Sequence, residues 1–340
     1  MRTPHLMLSE RMLQQLGPQL RARHPALSLV SIESAVAEQR RDIDAAFISR
    51  EVTGPSTKHE VHPELQACYD LMLANTGLRW VHIHSAGTDR PVYEALLQRG
   101  VQISTSSGAN ARVVAATALA GVLALNKRFP LLWAQQQKRE WVPLLGPGRM
   151  PRDLPGQIAT VVGWGPIGQE IARLLQTLGL RVQAVRTQAR GEEAGVRMVT
   201  FEDMALALAT SDWLILACPL TARTRGLVNA QLLQALPAGA QLVNVARGEV
   251  VVQADLVQAL RSGHLAGALL DVFEHEPLPA DSPLWGLPHV IISPHAAGHS
   301  DGNAARVQQM FLDNLQRWLS GQPLHQLAGG YPASRDRTGP

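Results

Sequence analysis

The sequence predicts an α/β protein of two domains, each a parallel sheet flanked by helices. Three observations predict this. The chain has 340 residues, beyond the roughly 250–300 at which single cores stop growing, so two domains are expected. From residue 158 onward, strand-length apolar runs alternate with helix-length periodic segments, which requires crossover connections and a sheet covered on both faces. A smaller set of such runs comes earlier, and a Gly-, Pro- and Arg-rich stretch at 146–156 leads into the second set.

The elements follow in order. AAFIS at 45–49, LRWVHIHS at 78–85 and VQIST at 101–105 are strand candidates, and PVYEALLQRG at 91–100 is a helix stopped by Gly100. SAGTD at 85–89 follows a strand and can aim backbone N–H groups at an anion, although an ordinary turn reads the same way. The small and apolar residues 111–126 predict a helix buried on most sides, and 131–141 a second one. IATVVG at 158–163 is a strand. The helix at 166–179 carries Ile167, Ile171, Leu174, Leu175 and Leu178 at three-to-four spacing. Strands are expected at 180–185, 213–218, 240–245, 266–273 and 290–293, with helices at 201–210, opened by Thr200 and Asp203 at capping-box spacing, and at 251–263. The last periodic segment, 302–319, has one apolar face of Val307, Met310, Phe311, Leu315, Trp318 and Leu319. If that helix returns to the first domain, the second is an insertion. A flexible tail is expected at 330–340.

Composition narrows the function classes. Apolar residues make up 46% of the chain, too many for overall disorder. The 31 Lys plus Arg against 28 Asp plus Glu leave a formal charge of +3, with no basic stripe and so no footprint for nucleic acid. Cys68 and Cys218 do not make a disulfide framework. The N-terminus lacks the apolar core of a secretory signal, and runs such as 213–220 are too short to cross a bilayer. A cytoplasmic protein with reduced thiols and no membrane partner is expected.

Gly163, Gly165 and Gly168 form G-x-G-x-x-G between a predicted strand and helix. In that context the first glycine permits the turn, the second lets backbone approach a pyrophosphate, and the third lets the helix pack on the sheet. Pro166 at the first helical position costs little. The plain alternative is a tight strand–helix turn. NAD sites place Asp or Glu at the end of the second strand to accept from the ribose 2′-OH. This chain has Arg186 and Thr187 there, with Arg190 nearby and no acid until Glu192. Arg186 suits a 2′-phosphate, which favours NADP(H) with NAD(H) as the alternative; a solvated arginine in an NAD enzyme is the other reading.

Just past successive strand ends lie Arg247, Glu276 and His295. Reduction of a 2-keto acid by hydride needs a cation for the carboxylate, a polarising group for the carbonyl and an acid for the forming alkoxide. Arginine suits the first task, and a histidine backed by a carboxylate the last. Singly, Arg247 could be a surface residue, Glu276 a turn residue before Pro277, and His295 a structural histidine.

At these residues the chain resembles the D-isomer-specific 2-hydroxyacid dehydrogenase family. The carriers are SAGTD at 85–89, VVGWGPIGQEIA at 161–172, CPLTARTRGLVN at 218–229, LVNVARGEVV at 242–251, ALLDVFEHEPLP at 268–279 and SPHAAG at 293–298. The resemblance spans roughly residues 75–320. It implies a Rossmann-type nucleotide domain at 110–296 inserted in a flavodoxin-like substrate domain at 1–109 plus 297–329, with a cleft that closes over substrate. It implies Arg247 as ligand of substrate carboxylate and carbonyl, Glu276 as partner of the histidine, His295 as proton donor and acceptor, and substrate contacts at Ser85, Ala86 and Gly87. The implied cofactor site comprises Gly163, Gly165, Pro166, Ile167, Gly168, Arg186, Thr187, Arg190, Cys218, Pro219, Thr224, Val245, Ala246, Arg247, Asp271, His295 and Ala297. A homodimer through the nucleotide domain is also implied. The Val-Arg-Thr ending of the second strand is similar to NADP-preferring members, including glyoxylate and hydroxypyruvate reductases.

Two departures stand out. The family has V-A-E where this chain has Val114-Ala115-Ala116, and an acidic pair where it has Gln253-Ala254. Other readings are an NAD-dependent D-2-hydroxyacid or phosphoglycerate dehydrogenase, and a non-enzymatic nucleotide sensor of corepressor type on the same fold. A metal site from His295, His299, His275 and Glu276 lacks a third ligand at a recognised spacing, so no metal is expected.

Overall fold

A computed structural model describes residues 3–57, 60–146, 148–188 and 191–328. The chain divides into two compact units, Met1–Ala109 with Asp301–Pro340, and Asn110–Ser300. The expected boundary at 296/297 falls a few residues later. Ala297 is buried in the second unit's core, and Gly298 packs on the Asn110 side chain.

The first unit runs β1 (His5–Leu8), α1 (Glu10–Arg23), β2 (Ser28–Ser31), α2 (Ile32–Ala37), β3 (Ala45–Ile48), α3 (Arg50–Thr53), α4 (Pro63–Ala74), β4 (Trp80–Ile83), α5 (Pro91–Gln98) and β5 (Gln102–Thr105). Its sheet has the order β2-β1-β3-β4-β5 with every pairing parallel, the flavodoxin-like arrangement. β3 and β4 are buried at every residue, as a sheet covered on both faces demands. Each strand end hands over to a turn or helix start: Ser9 caps α1 by accepting from Met12 N–H, and Ser31 caps α2 by accepting from Ser34 N–H.

The second unit runs α6 (Ala111–Asn126), α7 (Phe129–Lys138), β6 (Ile158–Val162), α8 (Pro166–Thr177), β7 (Arg181–Val185), β8 (Glu192–Glu193), β9 (Val196–Val199), α9 (Met204–Leu208), β10 (Trp213–Leu216), α10 (Ala230–Ala235), β11 (Ala240–Asn244), α11 (Gln253–Arg261), β12 (Leu265–Leu270) and β13 (Val290–Ile292). The sheet order is β13-β12-β11-β10-β6-β7-β9-β8, and only β8 is antiparallel. The order reverses beside β6, which puts a topological switch point at its C-terminal end. Two apolar clusters, one on each face, fill this unit. Gly121 of α6 lies so close to Leu269 of β12 that a Cβ there would stand 2.6 Å from the leucine.

The last helix, α12 (Asn303–Leu319), belongs to the first unit. Its Phe311 stacks on Phe47 of β3 with ring centroids 4.3 Å apart, and Trp318 stacks on Trp80 of β4 at 5.6 Å. Two expectations shift. Thr200 does bond Asp203, its hydroxyl accepting from Asp203 N–H, but this forms a turn before α9 rather than the helix cap itself. The second helical candidate starts at Phe129 and ends at Lys138. Cys68 and Cys218 are both free and buried, and burial pushes each thiol up to about 12. Among the described residues no helix is long and apolar enough to cross a membrane. The expected tail at 330–340 lies outside the described residues.

Candidate active site

The glycine motif sits between β6 and α8. Gly163 has φ +105°, and a Cβ there would stand 2.7 Å from the Ala217 carbonyl oxygen; at Gly168 it would overlap the carbonyl of Gly163. Both glycines are therefore required by the protein's own packing. Gly165 is different. It caps α8 in extended conformation and a Cβ there would meet nothing within 4 Å. That open space lies at the N-terminus of a 12-residue helix begun by Pro166 and Ile167, where free N–H groups and the dipole favour an anion. The cradle fits the pyrophosphate of a dinucleotide.

At the end of β7, Arg186 is half-buried and Thr187 exposed. Arg186 Nη1 donates to Glu193 Oε2 at 3.0 Å. Arg190 lies outside the described residues. Pro219 is exposed early in the loop after β10, whereas Cys218 and Thr224 are buried. The Thr224 hydroxyl donates to Pro219 O at 2.7 Å and accepts from Thr221 N–H at 2.8 Å, so it shapes that loop from within.

Arg247, Glu276 and His295 follow β11, β12 and β13, three adjacent strands. The turn after β11 is stapled by Asn244, whose Oδ1 accepts from Ala246 N–H at 3.0 Å and whose Nδ2 donates to Arg247 O at 3.2 Å. Val245 and Ala246 are buried there and Arg247 is half-buried. A Cβ on Gly248 would overlap the Phe273 carbonyl, so the arginine's neighbour must be glycine for the β11 and β12 ends to meet. After β12, Glu276 Oε1 accepts from Phe273 N–H at 3.1 Å. Its other oxygen accepts from His295 Nδ1–H at 2.8 Å, because an ionised carboxylate can only accept. The histidine side chain is 48% exposed and the glutamate 13%. The ring is thus backed from within and open at its far edge.

His295 has φ +51°, a left-handed conformation that few non-glycine residues adopt. Asp271, buried at the end of β12, holds that turn. Its Oδ1 accepts from Ala296 N–H at 2.8 Å and Ala297 N–H at 3.0 Å, and its backbone carbonyl accepts from His295 N–H at 2.8 Å. Asn244 and the backbone-clamping role of Asp271 were not read from the sequence; their buried polar character at strand ends was the available signal.

In the first unit, Ser85 follows β4 and its hydroxyl donates to Gly87 O at 2.9 Å; Ala86 is exposed. The departures from the family pattern are peripheral. Ala116 and Ala254 are exposed, and Gln253 N–H, at the start of α11, donates to Glu274 Oε1 at 2.9 Å, so an acid from the next loop serves that helix end. Among the described residues no group of three or more His, Cys, Asp or Glu side chains is placed to hold a metal ion.

Residues 119–297 match the sequence profile described as D-isomer specific 2-hydroxyacid dehydrogenase, NAD binding domain. A glyoxylate reductase from Korarchaeum cryptofilum is 33% identical over 254 residues, covering 72% of this chain and 74% of that protein. A human glyoxylate reductase/hydroxypyruvate reductase is 31% identical, covering 74% and 77%. A crystal structure of a D-isomer specific 2-hydroxyacid dehydrogenase from Xanthobacter autotrophicus Py2, in complex with NADPH and MES, superposes with a TM-score of 0.76 at 28% identity, covering 96% of this chain and 98% of that one. The chain belongs to the D-isomer specific 2-hydroxyacid dehydrogenase family of NAD(P)-dependent oxidoreductases.

Proposed function

We propose that this enzyme reduces small 2-keto acids of the glyoxylate and hydroxypyruvate type to D-2-hydroxy acids, with NADPH favoured. The observation that carries the reading is the His295–Glu276 hydrogen bond at the end of β13, two strands from Arg247. The nicotinamide, when bound, supplies the hydride to C2 of the keto acid. His295 delivers a proton from Nε2 to the developing alkoxide, and Glu276 fixes the ring with Nδ1–H pointing inward. Arg247 neutralises the substrate carboxylate and polarises the carbonyl. Ser85, Ala86 and Gly87 are assigned to the substrate through their backbone N–H groups. In the oxidative direction His295 acts as the base.

The cofactor preference rests on Arg186 and Thr187 where an NAD enzyme carries an acid. Dimerisation is assigned to the second unit, where Phe129 and Trp133 of α7, with Trp141, Leu145 and Met150 beyond it, are exposed. The test crosses NADH and NADPH with glyoxylate, hydroxypyruvate, pyruvate, phenylpyruvate and branched 2-keto acids. The highest kcat/KM is expected with NADPH and one of the first two acids. A clear NADH advantage or a preference for bulky acids would refute the corresponding part. Sedimentation of Trp133→Glu against the parent checks the dimer surface; an unchanged mass rules that surface out.

A further inference from the structure

The acid missing from the end of β7 is supplied from another element. Glu193 lies on β8, the edge strand of the sheet, and its Oε2 accepts from Arg186 Nη1 at 3.0 Å. Three tethers place it. β8 pairs antiparallel with β9, Glu193 opposite Val196. The two residues between, Ala194 and Gly195, have φ of +53° and +71°, the signature of a two-residue hairpin turn with both central residues left-handed. The carbonyls of both turn residues accept from Gln176 Nε2 at 3.2 Å, so the helix that carries the phosphate cradle also holds the hairpin. The other end of the pair hangs on the same strand: Arg186 N–H donates to Val199 O at 3.0 Å.

We propose that Glu193 is a specificity-determining residue, a built-in anion that competes with a ribose 2′-phosphate for Arg186. The inference rests on the assignment of Arg186 to that phosphate. A 2′-phosphate can take the guanidinium only by displacing or crowding the carboxylate, and two anions beside one cation repel. A ligand with a free 2′-OH leaves the pair intact and meets a carboxylate able to accept from that hydroxyl. Glu193 therefore narrows the discrimination that Arg186 alone would give. Its side chain is 51% exposed and that of Arg186 39%, so the pair has the modest strength of a surface contact.

Calorimetric titration with adenosine 2′,5′-bisphosphate and with 5′-AMP reads this without turnover. The parent protein, Glu193→Gln, Glu193→Ala and Glu192→Gln are compared through the ratio of the two affinities. Both Glu193 variants should raise the ratio in favour of the bisphosphate by roughly two- to fivefold, the range of an exposed ion pair. Glu192→Gln, one residue away on the same strand, should raise it less. A ratio that moves no more for Glu193 than for Glu192 overturns the proposal. A parent ratio at or below one overturns the NADPH reading instead, while the shift between parent and variants still decides the role of Glu193.

Discussion

His295 Nδ1 and Glu276 Oε2 stand 2.8 Å apart although 19 residues separate them in the chain. The bond leaves one ring nitrogen for chemistry and fixes which one. Replacing His295 by Ala should lower kcat by on the order of 10²–10⁴, with the dissociation constant for NADPH, measured by fluorescence titration, nearly unchanged. Glu276→Gln should fall between, at roughly tenfold or more, because an amide can turn its N–H toward Nδ1 and select the wrong tautomer. A rate within twofold of the parent for His295→Ala would remove the residue from proton transfer.

Gly163 and Gly165 should fail in opposite ways. Gly163→Ala forces a Cβ within 2.7 Å of the Ala217 carbonyl at φ +105°, so it should destabilise the protein by about 1–3 kcal/mol. At Gly165 a Cβ meets no protein atom within 4 Å, so Gly165→Val should leave stability without ligand within about 1 kcal/mol. It should instead abolish the rise in Tm that NADPH gives the parent. Thermal melts with and without cofactor separate the two; a Gly165→Val protein that still gains Tm with NADPH would show that the open space is not the phosphate site.

Arg247 and Gly248 divide chemistry from packing in the same manner. Arg247→Lys keeps the charge and loses the planar fork, so kcat/KM for the keto acid should drop on the order of tenfold or more, mainly through KM, with Tm held. Gly248→Ala drives a methyl into the Phe273 carbonyl and should destabilise by about 3 kcal/mol. Urea unfolding beside steady-state kinetics distinguishes them, and a stable, active Gly248→Ala protein would refute the close-approach argument.

His82 makes stability depend on acid. It is fully buried on β4, its ring nitrogens bonded to the Ser104 and Ser106 hydroxyls at 2.7 and 3.1 Å, and burial lowers its pKa to about 3. The unfolded chain binds the proton first, near the ordinary 6.5. The stabilisation is therefore complete above pH 6.5 and falls as pH drops toward 3, by up to about 1.4 kcal/mol per unit. Urea midpoints between pH 7 and pH 5 should decline, and His82→Gln, though less stable throughout, should decline less steeply. Parallel slopes would mean that His82 is not the group responsible.

Parts of this molecule were legible because local pattern and tertiary context agree. The run WLILAC reads as a buried strand, and β10 is buried at every residue. The sites after β11, β12 and β13 were legible from residue type just past apolar runs. β1 (HLML) and β2 (SLVS) were not legible because neither shows alternation or a long apolar run, and their burial comes from neighbouring strands. The β8–β9 hairpin was missed for a different reason. A Glu-Glu strand has poor intrinsic preference for extended structure, and its Ala-Gly turn lacks the usual Asn-Gly signal. With it went the acid beside Arg186, which lies seven residues along the chain but one side chain away in space.

The stack of Phe311 on Phe47, with Trp318 against Trp80, sets an order of assembly during synthesis. The strands that carry Phe47 and Trp80 leave the ribosome before any residue of Asn110–Ser300, yet the aromatic rings that seal them arrive only after that whole segment has emerged. The inserted unit can thus finish folding while the earlier one still waits for its closing helix, so a ribosome that stalls before α12 would release a chain with one completed half and one unsealed half.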